Sequence, residues 1–269
     1  MVENNKYLLS VGKKDSIRLD VVDKIYGKHS KLLLSEVGVC PGMTILDVGC
    51  GTGNISCWLA KEVGWQGKIY AVDSSIEQLE LAKSKTMDDD INNIEFLHLR
   101  GEDLNTLKIY FDVVYCRFCL FHIRNPMLVL ENMYSLVKDG GYIVCEEPVL
   151  STALCYPSNK AYSRVRLMFQ KLCRLEGLDP EIGFKLKEMF ISVGCKKNKV
   201  SFSQPVLNFA DEKLFEYLAL TNIAEKYIQH NLFNDSEIKE LLKELKKLSQ
   251  NEQIIMSPAR VTQIYGVKE

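Results

Sequence analysis

The chain has 269 residues, of which 46% are hydrophobic and 26% are charged. This length and hydrophobic content suffice for one large folded domain and exclude a chain that is disordered throughout. The 34 Lys and Arg residues nearly balance the 35 Asp and Glu residues, so the net charge of −1 attracts neither nucleic acid nor anionic lipid.

The N-terminal segment MVENNKYLLS has no basic region followed by an apolar run. No apolar stretch approaches the ~18 residues of a membrane-spanning helix. We therefore expect a soluble, cytoplasmic protein with neither a nucleic-acid nor a membrane partner.

Nine cysteines are scattered along the chain, and their number is odd. Several lie in aliphatic segments such as YIVCEE, which favours buried free thiols over a disulfide framework. Cys116 and Cys119 form a Cys-x-x-Cys pair, but neither a second such pair nor a nearby histidine pair completes a tetrahedral site. We expect a reducing compartment and no metal site.

Strand and helix signals alternate in the first half of the chain. Short aliphatic runs predict strands, and apolar residues at helical spacing predict helices. The predicted elements are strand 44–49, helix 54–64, strand 68–73, helix 74–85, strand 94–99, strand 111–116, helix 126–141 and strand 142–148. This alternation predicts a parallel sheet with helices on both faces, and ligands of such sheets bind beyond the carboxyl ends of the strands.

The second half of the chain has a less regular pattern. It predicts a helix from about 158 to 176, a helix ending at Gly194, an edge strand 196–205, two amphipathic helices within 210–249 and a closing strand 259–267. The leucine-rich face of the last helix is typical of a helix that lies on its own core, not of a membrane-surface helix. We interpret the chain as one sheet domain with helical insertions.

Three glycines at alternate positions, Gly49, Gly51 and Gly53, follow the first predicted strand. A P-loop is excluded because Asn54 follows the last glycine where a Lys is needed to reach the phosphates. A dinucleotide fingerprint would place its third glycine one residue later, and Asp47 would repel a pyrophosphate. The same carboxylate suits a cofactor that carries an ammonium group. A tight turn without any ligand stays open as the alternative.

Asp73 ends the second predicted strand, where a carboxylate can accept hydrogen bonds from both hydroxyls of a ribose. An acidic residue at this place can also be a helix cap. Together with the glycine turn and Asp47, Asp73 favours a nucleoside-bearing cofactor.

Four segments carry a resemblance to a known family: LDVGCGTG (46–53), AVDSS (71–75), FDVVYCRFCLFHIRNP (111–126) and LVKDGGYIVCEEP (136–148). Because of these four segments, residues from about 40 to 150 resemble the class I S-adenosylmethionine-dependent methyltransferases. The resemblance implies an α/β fold with a Rossmann-like, doubly wound, seven-stranded and mostly parallel sheet that carries helical cap insertions. It also implies S-adenosyl-L-methionine as cofactor and S-adenosyl-L-homocysteine as product.

Within that family the glycine turn passes under the methionine part of the cofactor, the residue matching Asp73 holds the ribose, and the one matching Asp47 orients the amino-acid end. The adenine contact comes from the segment after the third strand. Here that segment departs from the family pattern, because Arg100 stands where a short acidic residue is common. Either Gly101 with Glu102 or Asp103 takes the role. We predict this cofactor-binding set: Tyr7, Arg18, Asp47, Gly49, Gly51, Gly53, Asp73, Ser74, Gly101, Glu102, Asp103, Cys116 and Arg117.

More specifically, the chain resembles small-molecule methyltransferases of ubiquinone and menaquinone biosynthesis. That resemblance implies a leading segment with Tyr7 and Arg18 that folds over the cofactor, and an Arg and a His after the fourth strand. From this resemblance together with the pattern of helices and strands, we divide the chain into an N-terminal helical segment over the cofactor (1–38), a core with a helical insertion at about 150–180 (39–204), a helical cap (205–255) and the final strand (256–269). We expect the insertion and the cap to cover the acceptor site.

Methyl transfer from a sulfonium is an in-line displacement that depends on alignment and on exclusion of water. A base is needed only when the acceptor must lose a proton, and we predict His122 and Glu147 as the catalytic residues. Glu146 and Glu147 are adjacent on a strand, so at most one should face the site. A packing role for His122 and an ion-pair role for Arg117 stay open.

The sequence thus predicts an S-adenosylmethionine-dependent transfer of a methyl group to an O, N or C atom of a small-molecule acceptor, by a monomer or homodimer. Two alternatives stay open. A nucleic-acid methyltransferase would have an Asn or Asp, two prolines and an aromatic residue where this chain has CRFCLF. A non-catalytic protein that binds the cofactor or its product as a sensor, or acts as an interaction platform, is the other alternative, because a fold does not establish an activity.

Overall fold

A computed structural model describes residues 13–88 and 90–269 of the chain. Its helices are α1 (Lys13–Val37), α2 (Asn54–Val63), α3 (Ile76–Asp88), α4 (Pro126–Ser135), α5 (Lys160–Leu175), α6 (Leu186–Ser192), α7 (Ala210–Lys213), α8 (Phe215–Gln229) and α9 (Asp235–Ser249). Its strands are β1 (Thr44–Val48), β2 (Lys68–Asp73), β3 (Ile94–His98), β4 (Phe111–Arg117), β5 (Val137–Val149), β6 (Leu154–Tyr156), β7 (Asn198–Ser203), β8 (Ile255–Ser257) and β9 (Arg260–Val267).

Seven strands form one sheet in the order β3-β2-β1-β4-β5-β9-β7. Strands β1 to β5 pair in parallel with one another, and β9 is antiparallel to both of its neighbours. This arrangement confirms the predicted α/β fold with a doubly wound, mostly parallel seven-stranded sheet. The strand order reverses between β1 and β4, and such a reversal opens a crevice at the carboxyl ends of the strands where ligands bind.

The two faces of the sheet are both buried, as the aliphatic strands predict. Successive residues of β1 point to opposite faces. Ile45 packs in a cluster with Leu34 of α1 and Leu59 of α2. Leu46 packs in the larger cluster on the other face, which includes residues of α4, α5, α6, α8 and α9.

The junction between α4 and β5 differs from the sequence prediction. The expected helix 126–141 ends at Ser135, and β5 already begins at Val137, which pairs with Phe111 of β4. A shift of register then follows between Phe111 and Val113. Gly140 and Gly141 were expected to end the helix, but they lie inside β5, where Gly140 has a φ of 78°.

The helices of the second half pack together beside the sheet. Helices α5, α8 and α9 contact one another, and α1 contacts α7 and α8. The apolar stripe of α9 is buried, so this helix lies on the core as predicted. A small antiparallel sheet of β6 and β8, which the sequence did not predict, joins the insertion to the segment before β9. Among the described residues, no helix is long and apolar enough to cross a membrane.

Candidate functional site

A cavity of about 650 Å³ lies at the carboxyl ends of β1, β2 and β4. Its walls come from the glycine turn after β1, the end of β2, the short helix after β3 and the loop after β4. Residues of α1, α5 and α8 close it from the other side. The cavity therefore occupies the crevice that the reversal of strand order creates.

The glycine turn is built in a backbone conformation that favours glycine. Gly49, Gly51 and Gly53 have φ values of 73°, 55° and 76°, in the left-handed region that side chains with a Cβ rarely adopt. Gly49 and Gly51 line the cavity. A Cβ at Gly53 would instead lie 3.0 Å from the Cβ of Ala82 in α3. The geometry therefore favours a helix-packing role for Gly53 over the predicted cofactor contact.

Asp73 lies at the end of β2 and holds the glycine turn. Its carboxylate accepts hydrogen bonds from the N–H of Gly51 and the N–H of Ser75, each at 2.9 Å. Burial raises the pKa of Asp73, and these backbone donors oppose the rise. Each carboxylate oxygen has a second lone pair, so Asp73 can still accept ribose hydroxyls from the cavity. Ser74 lines the cavity beside it.

Asp47 is buried at the floor of the cavity, where it accepts a hydrogen bond from the Ser56 hydroxyl of α2. Burial raises the pKa of Asp47 to about 6, and the positive charge of Arg117 opposes the rise. A buried carboxylate with an elevated pKa gains stability from a nearby cation. Asp47 is thus suited to an ammonium group, as the sequence predicts.

The adenine segment forms a short 3-10 helix, Gly101–Thr106. Gly101, Glu102 and Asp103 all line the cavity. The Asn132 side-chain amide of α4 holds the segment by donating to the carbonyl oxygens of Gly101, at 3.3 Å, and Glu102, at 2.8 Å. Arg100, which departs from the family pattern, forms an ion pair with Glu102 at 3.0 Å.

Arg117 and Cys116 end β4 and point to opposite faces of the sheet. The guanidinium of Arg117 lines the cavity and pairs with Asp23 of α1 at 2.9 Å, so the open ion-pair interpretation of Arg117 agrees with the geometry. The thiol of Cys116 is fully buried, 3.4 Å from the sulfur of Cys145, and does not line the cavity. The alternation of the strand thus places Cys116 away from the predicted cofactor site.

Arg18 lines the cavity from α1. Its guanidinium forms two hydrogen bonds of 2.6 Å with the carboxylate of Asp15. Asp15 also accepts a hydrogen bond from the Asn222 amide of α8. Tyr7, the other residue predicted in the leading segment, lies outside the described residues.

His122 lines the cavity at the end of the short 3-10 helix Leu120–His122. Its ring packs edge to face on Phe121, with 4.6 Å between the ring centroids. Burial and, to a smaller extent, the positive charge of Arg18 lower the pKa of His122 to about 3. The imidazole is therefore neutral at neutral pH, and it is a weak proton acceptor.

Glu147 is fully buried and does not line the cavity. Its carboxylate accepts three consecutive backbone N–H groups, from Cys119 at 2.9 Å, Leu120 at 2.7 Å and Phe121 at 3.1 Å. Burial raises the pKa of Glu147 to about 8, and the three donors oppose this rise by stabilising the carboxylate. The geometry thus favours a loop-anchoring role over the predicted catalytic role.

Glu146 faces the opposite side of β5, as the alternation of a strand requires. It accepts hydrogen bonds from the Tyr115 hydroxyl at 2.6 Å and the Gln263 amide at 2.7 Å. Neither Glu146 nor Glu147 is among the residues that line the cavity. Among the described residues, no group of three or more His, Cys, Asp or Glu side chains is arranged to hold a metal ion.

Comparison with known proteins identifies the family. A family model described as a methyltransferase domain matches residues 40–199, which include the glycine turn, the adenine segment and the first five strands. The chain belongs to this methyltransferase-domain family.

Two curated relatives of the methyltransferase domain are demethylmenaquinone methyltransferases. One, from Oceanobacillus iheyensis, is 35% identical over 144 residues, which cover 54% of this chain and 60% of the relative. Another, from Listeria welshimeri, is 32% identical over 122 residues, which cover 45% of this chain and 52% of the relative. The match thus spans little more than half the length of these relatives.

Solved structures share the fold at low sequence identity. The YcgJ protein from Bacillus subtilis has a TM-score of 0.60 at 15% identity, over 90% of this chain and 99% of that chain. Phosphoethanolamine N-methyltransferase 2 from Haemonchus contortus, solved with phosphomonomethylethanolamine and S-adenosylhomocysteine, has a TM-score of 0.60 at 16% identity. The alignment covers 95% of this chain and 57% of that one. At such low sequence identity, these similarities show the fold alone.

The cavity of this methyltransferase domain also contains residues that sequence reasoning missed. His98 at the end of β3 lies with a ring nitrogen 3.0 Å from the carbonyl oxygen of Ser74. Arg166 of α5 pairs with Glu216 of α8 at 3.0 Å, and both line the cavity. The position of His98 at a strand end could have indicated it. Arg166 and Glu216 lie on two helices and are 50 residues apart in the chain. No local sequence pattern indicates such a pair.

Proposed function

We propose that this methyltransferase domain binds S-adenosylmethionine in the cavity and transfers its methyl group to a small-molecule acceptor. One observation carries the proposal: Asp47, Asp73, the glycine turn and residues 101–103 line a single cavity at the switch point of the sheet. These groups suit an ammonium, a ribose and a base. The curated relatives are demethylmenaquinone methyltransferases, which act on a small molecule, and they support the same proposal.

The roles of the residues follow from their contacts. Asp73 accepts hydrogen bonds from the ribose hydroxyls while Gly51 and Ser75 keep its carboxylate in place. Asp47 compensates the ammonium of the amino-acid end. When bound, the cofactor supplies a positively charged sulfonium and the methyl group. The protein therefore acts chiefly by alignment and by exclusion of water, and α1, α5 and α8 enclose the cavity for that purpose.

His122 orients the acceptor in this proposal. A neutral imidazole with a pKa near 3 is poorly suited to remove a proton, but it can donate or accept one hydrogen bond. Glu147 acts indirectly, because it holds the backbone of residues 119–121, which precede His122. An enclosed cavity beneath α5 and α8 also favours a small acceptor over a flipped base.

The test is a calorimetric titration of the protein with S-adenosylmethionine, S-adenosylhomocysteine and NADH. We expect the first two to bind and NADH not to bind. Asp73→Asn should weaken both by about tenfold or more, since a hydrogen bond to a charged group contributes roughly 1.5–3 kcal/mol.

Asp139→Asn is the matched control, because Asp139 is exposed and lies outside the cavity. Its affinities should equal those of the unchanged protein. Binding of NADH alone, or an Asp73 variant that binds as tightly as the control, would contradict the proposed cofactor.

A further inference from the structure

Five arginines line the cavity, and they are Arg18, Arg100, Arg117, Arg124 and Arg166. All of them except Arg124 pair with a carboxylate of the protein, at distances of 2.6–3.0 Å. Arg124, in the loop after β4, pairs with no carboxylate among the residues that the structure describes. The proposed function assigns Arg124 no role. Its charge is therefore the feature of the cavity that needs an explanation.

Arg124 lies at a mouth of the cavity between the loop after β4 and the end of α5, where Glu176 and Leu178 also line it. The Nε of Arg124 donates to the backbone carbonyl oxygen of Glu176 at 3.3 Å. The backbone of Gly177, which has a φ of 76°, packs against the same side chain, and a Cβ placed there would lie 3.8–3.9 Å from three of its atoms. These two contacts hold the guanidinium at the cavity mouth.

The terminal nitrogens of the Arg124 guanidinium are available to a ligand. Within the described part of the chain they have no hydrogen-bond partner, since the bond to Glu176 uses Nε. Arg124 is also an exposed residue, so its terminal nitrogens can meet a ligand without a rearrangement of the protein. A planar guanidinium with two free nitrogens matches the oxygens of a carboxylate or a phosphate, which can accept two parallel hydrogen bonds.

The carboxylates that α5 and α8 bring to the cavity do not compensate the charge of Arg124. One oxygen of Glu176 lies 2.9 Å from the Lys226 ammonium and 2.9 Å from a ring nitrogen of His230. Glu216, the other cavity-lining carboxylate of these segments, pairs with Arg166 at 3.0 Å. The cavity mouth thus has an excess of positive charge, which attracts an anion and repels a cation.

We propose that Arg124 selects a methyl acceptor that carries a carboxylate or phosphate group. The anionic group binds the guanidinium at the cavity mouth, and the rest of the acceptor extends into the cavity past Ile123 and toward His122, both of which line it. The inference rests on the proposed function and deepens it, because it names the charge of the acceptor and the residue that recognises that charge.

The test uses the full chain saturated with S-adenosylhomocysteine and four probes that share one ring system. These are 1-naphthoate, 1-naphthyl phosphate, 1-naphthol and 1-naphthylmethylammonium, titrated by calorimetry at neutral pH. We expect at least one of the two anions to bind about fivefold more tightly than 1-naphthol, as is typical of one ion pair at an exposed site, and the ammonium to bind most weakly. The ratio between the two anions identifies which anionic group the site prefers.

Arg124→Gln should weaken the tighter anion by about fivefold and leave the affinity for 1-naphthol unchanged, since a glutamine keeps a polar side chain but removes the charge. Arg174→Gln is the matched control, because Arg174 is exposed at the end of α5 and does not line the cavity. It removes the same charge and should change neither affinity. Both variants should bind S-adenosylhomocysteine as the unchanged protein does, and thermal unfolding checks that they are folded.

Three outcomes would overturn the inference: binding of neither anion more tightly than 1-naphthol, an equal effect of Arg124→Gln on the anion and on 1-naphthol, or equal effects of the two arginine variants on the anion. Failure of S-adenosylhomocysteine to bind would appear in the first titration, before any probe is added. That outcome would contradict the proposed function itself, and with it this inference.

Discussion

Three buried carboxyl groups, those of Asp47, Asp73 and Glu147, have different surroundings in this protein. Asp47 and Asp73 line the cavity. Glu147 does not line the cavity and accepts hydrogen bonds from three backbone N–H groups of the loop after β4. The groups that surround each carboxyl group thus distinguish the two cavity-lining aspartates from Glu147.

Glu147→Gln tests the loop-anchoring role. Above the Glu147 pKa of about 8 the carboxylate accepts all three N–H groups. A glutamine keeps one acceptor oxygen, but its NH₂ group must then face a backbone N–H, so at such a pH we expect a loss of about 2 kcal/mol in the free energy of unfolding. Urea denaturation measures the change. The exposed Glu131→Gln should alter stability by less than about 0.5 kcal/mol. A Glu147 variant as stable as this control would contradict the role.

The lowered pKa of His122 predicts a specific pH dependence of the free energy of unfolding. Its folded pKa of about 3 lies below the ordinary value of 6.5, so the unfolded chain binds one more proton between these pH values. The contribution of His122 to stability is therefore fully present above pH 6.5 and is lost as the pH falls toward 3. In His122→Asn, the slope of unfolding free energy against pH should be shallower by up to about 1.4 kcal/mol per unit. An unchanged slope would contradict the lowered pKa.

At the level of elements, α1 is joined to the site by side chains of β4 and α8. Arg117 at the end of β4 pairs with Asp23, and Asn222 of α8 bonds Asp15, which also holds Arg18. The contacts of Arg117 with Asp23 and of Asn222 with Asp15 join different elements, and both Arg117 and Arg18 line the cavity. We infer that α1 and the cap close the site together.

Asp23→Asn tests this connection. The Arg117 side chain is only 11% exposed, so the loss of its partner should cost about 1–3 kcal/mol in the free energy of unfolding. Asp20→Asn on the same helix is the control. Asp20 is 60% exposed in its contact with Lys85, and an exposed pair contributes little. Equal losses in the two variants would show that the buried Arg117–Asp23 pair contributes no more to stability than the exposed Lys85–Asp20 pair.

Local sequence patterns suffice to predict the positions of some helices and strands. Helix α2 and strands β1, β2 and β4 agree with their predicted positions, because their apolar spacing is set within a few residues. The end of α4 was wrong by several residues, since the pairing of Val137 with Phe111 draws residues 137–141 into the sheet. Strand pairing is a long-range interaction that overrides a local helix stop signal.

At the scale of the whole molecule, helices from distant parts of the chain enclose one cavity. Residues 150–180 and 205–250 were predicted to cover the acceptor site, and this division of the chain stays a prediction. Leu150, Val165 and Phe215 to Tyr227 contribute to the cavity wall from these segments. Ligands that fill the cavity should therefore stabilise the segments.

Limited proteolysis tests this coverage. Addition of S-adenosylhomocysteine together with a methyl acceptor should slow tryptic cleavage within residues 205–250 severalfold, because ligand binding lowers the population of locally opened states. Cleavage at the lysines of residues 196–199, on the sheet edge, should not change and serves as the internal control. Equal rates within 205–250 with and without ligand would contradict a cap over the acceptor.

The amino-acid sequence by itself determined the alternating strands and helices, the glycine turn, and the roles proposed for Asp47 and Asp73. These features depend on local spacing, and parallel strands bring their carboxyl ends to one edge. Only the tertiary structure decided that Glu147 anchors a loop and that Arg166 meets Glu216 inside the cavity. These partners lie 27 and 50 residues apart in the chain. Their contact depends on how distant elements pack against one another. The spacing of residues within a short segment does not indicate that packing.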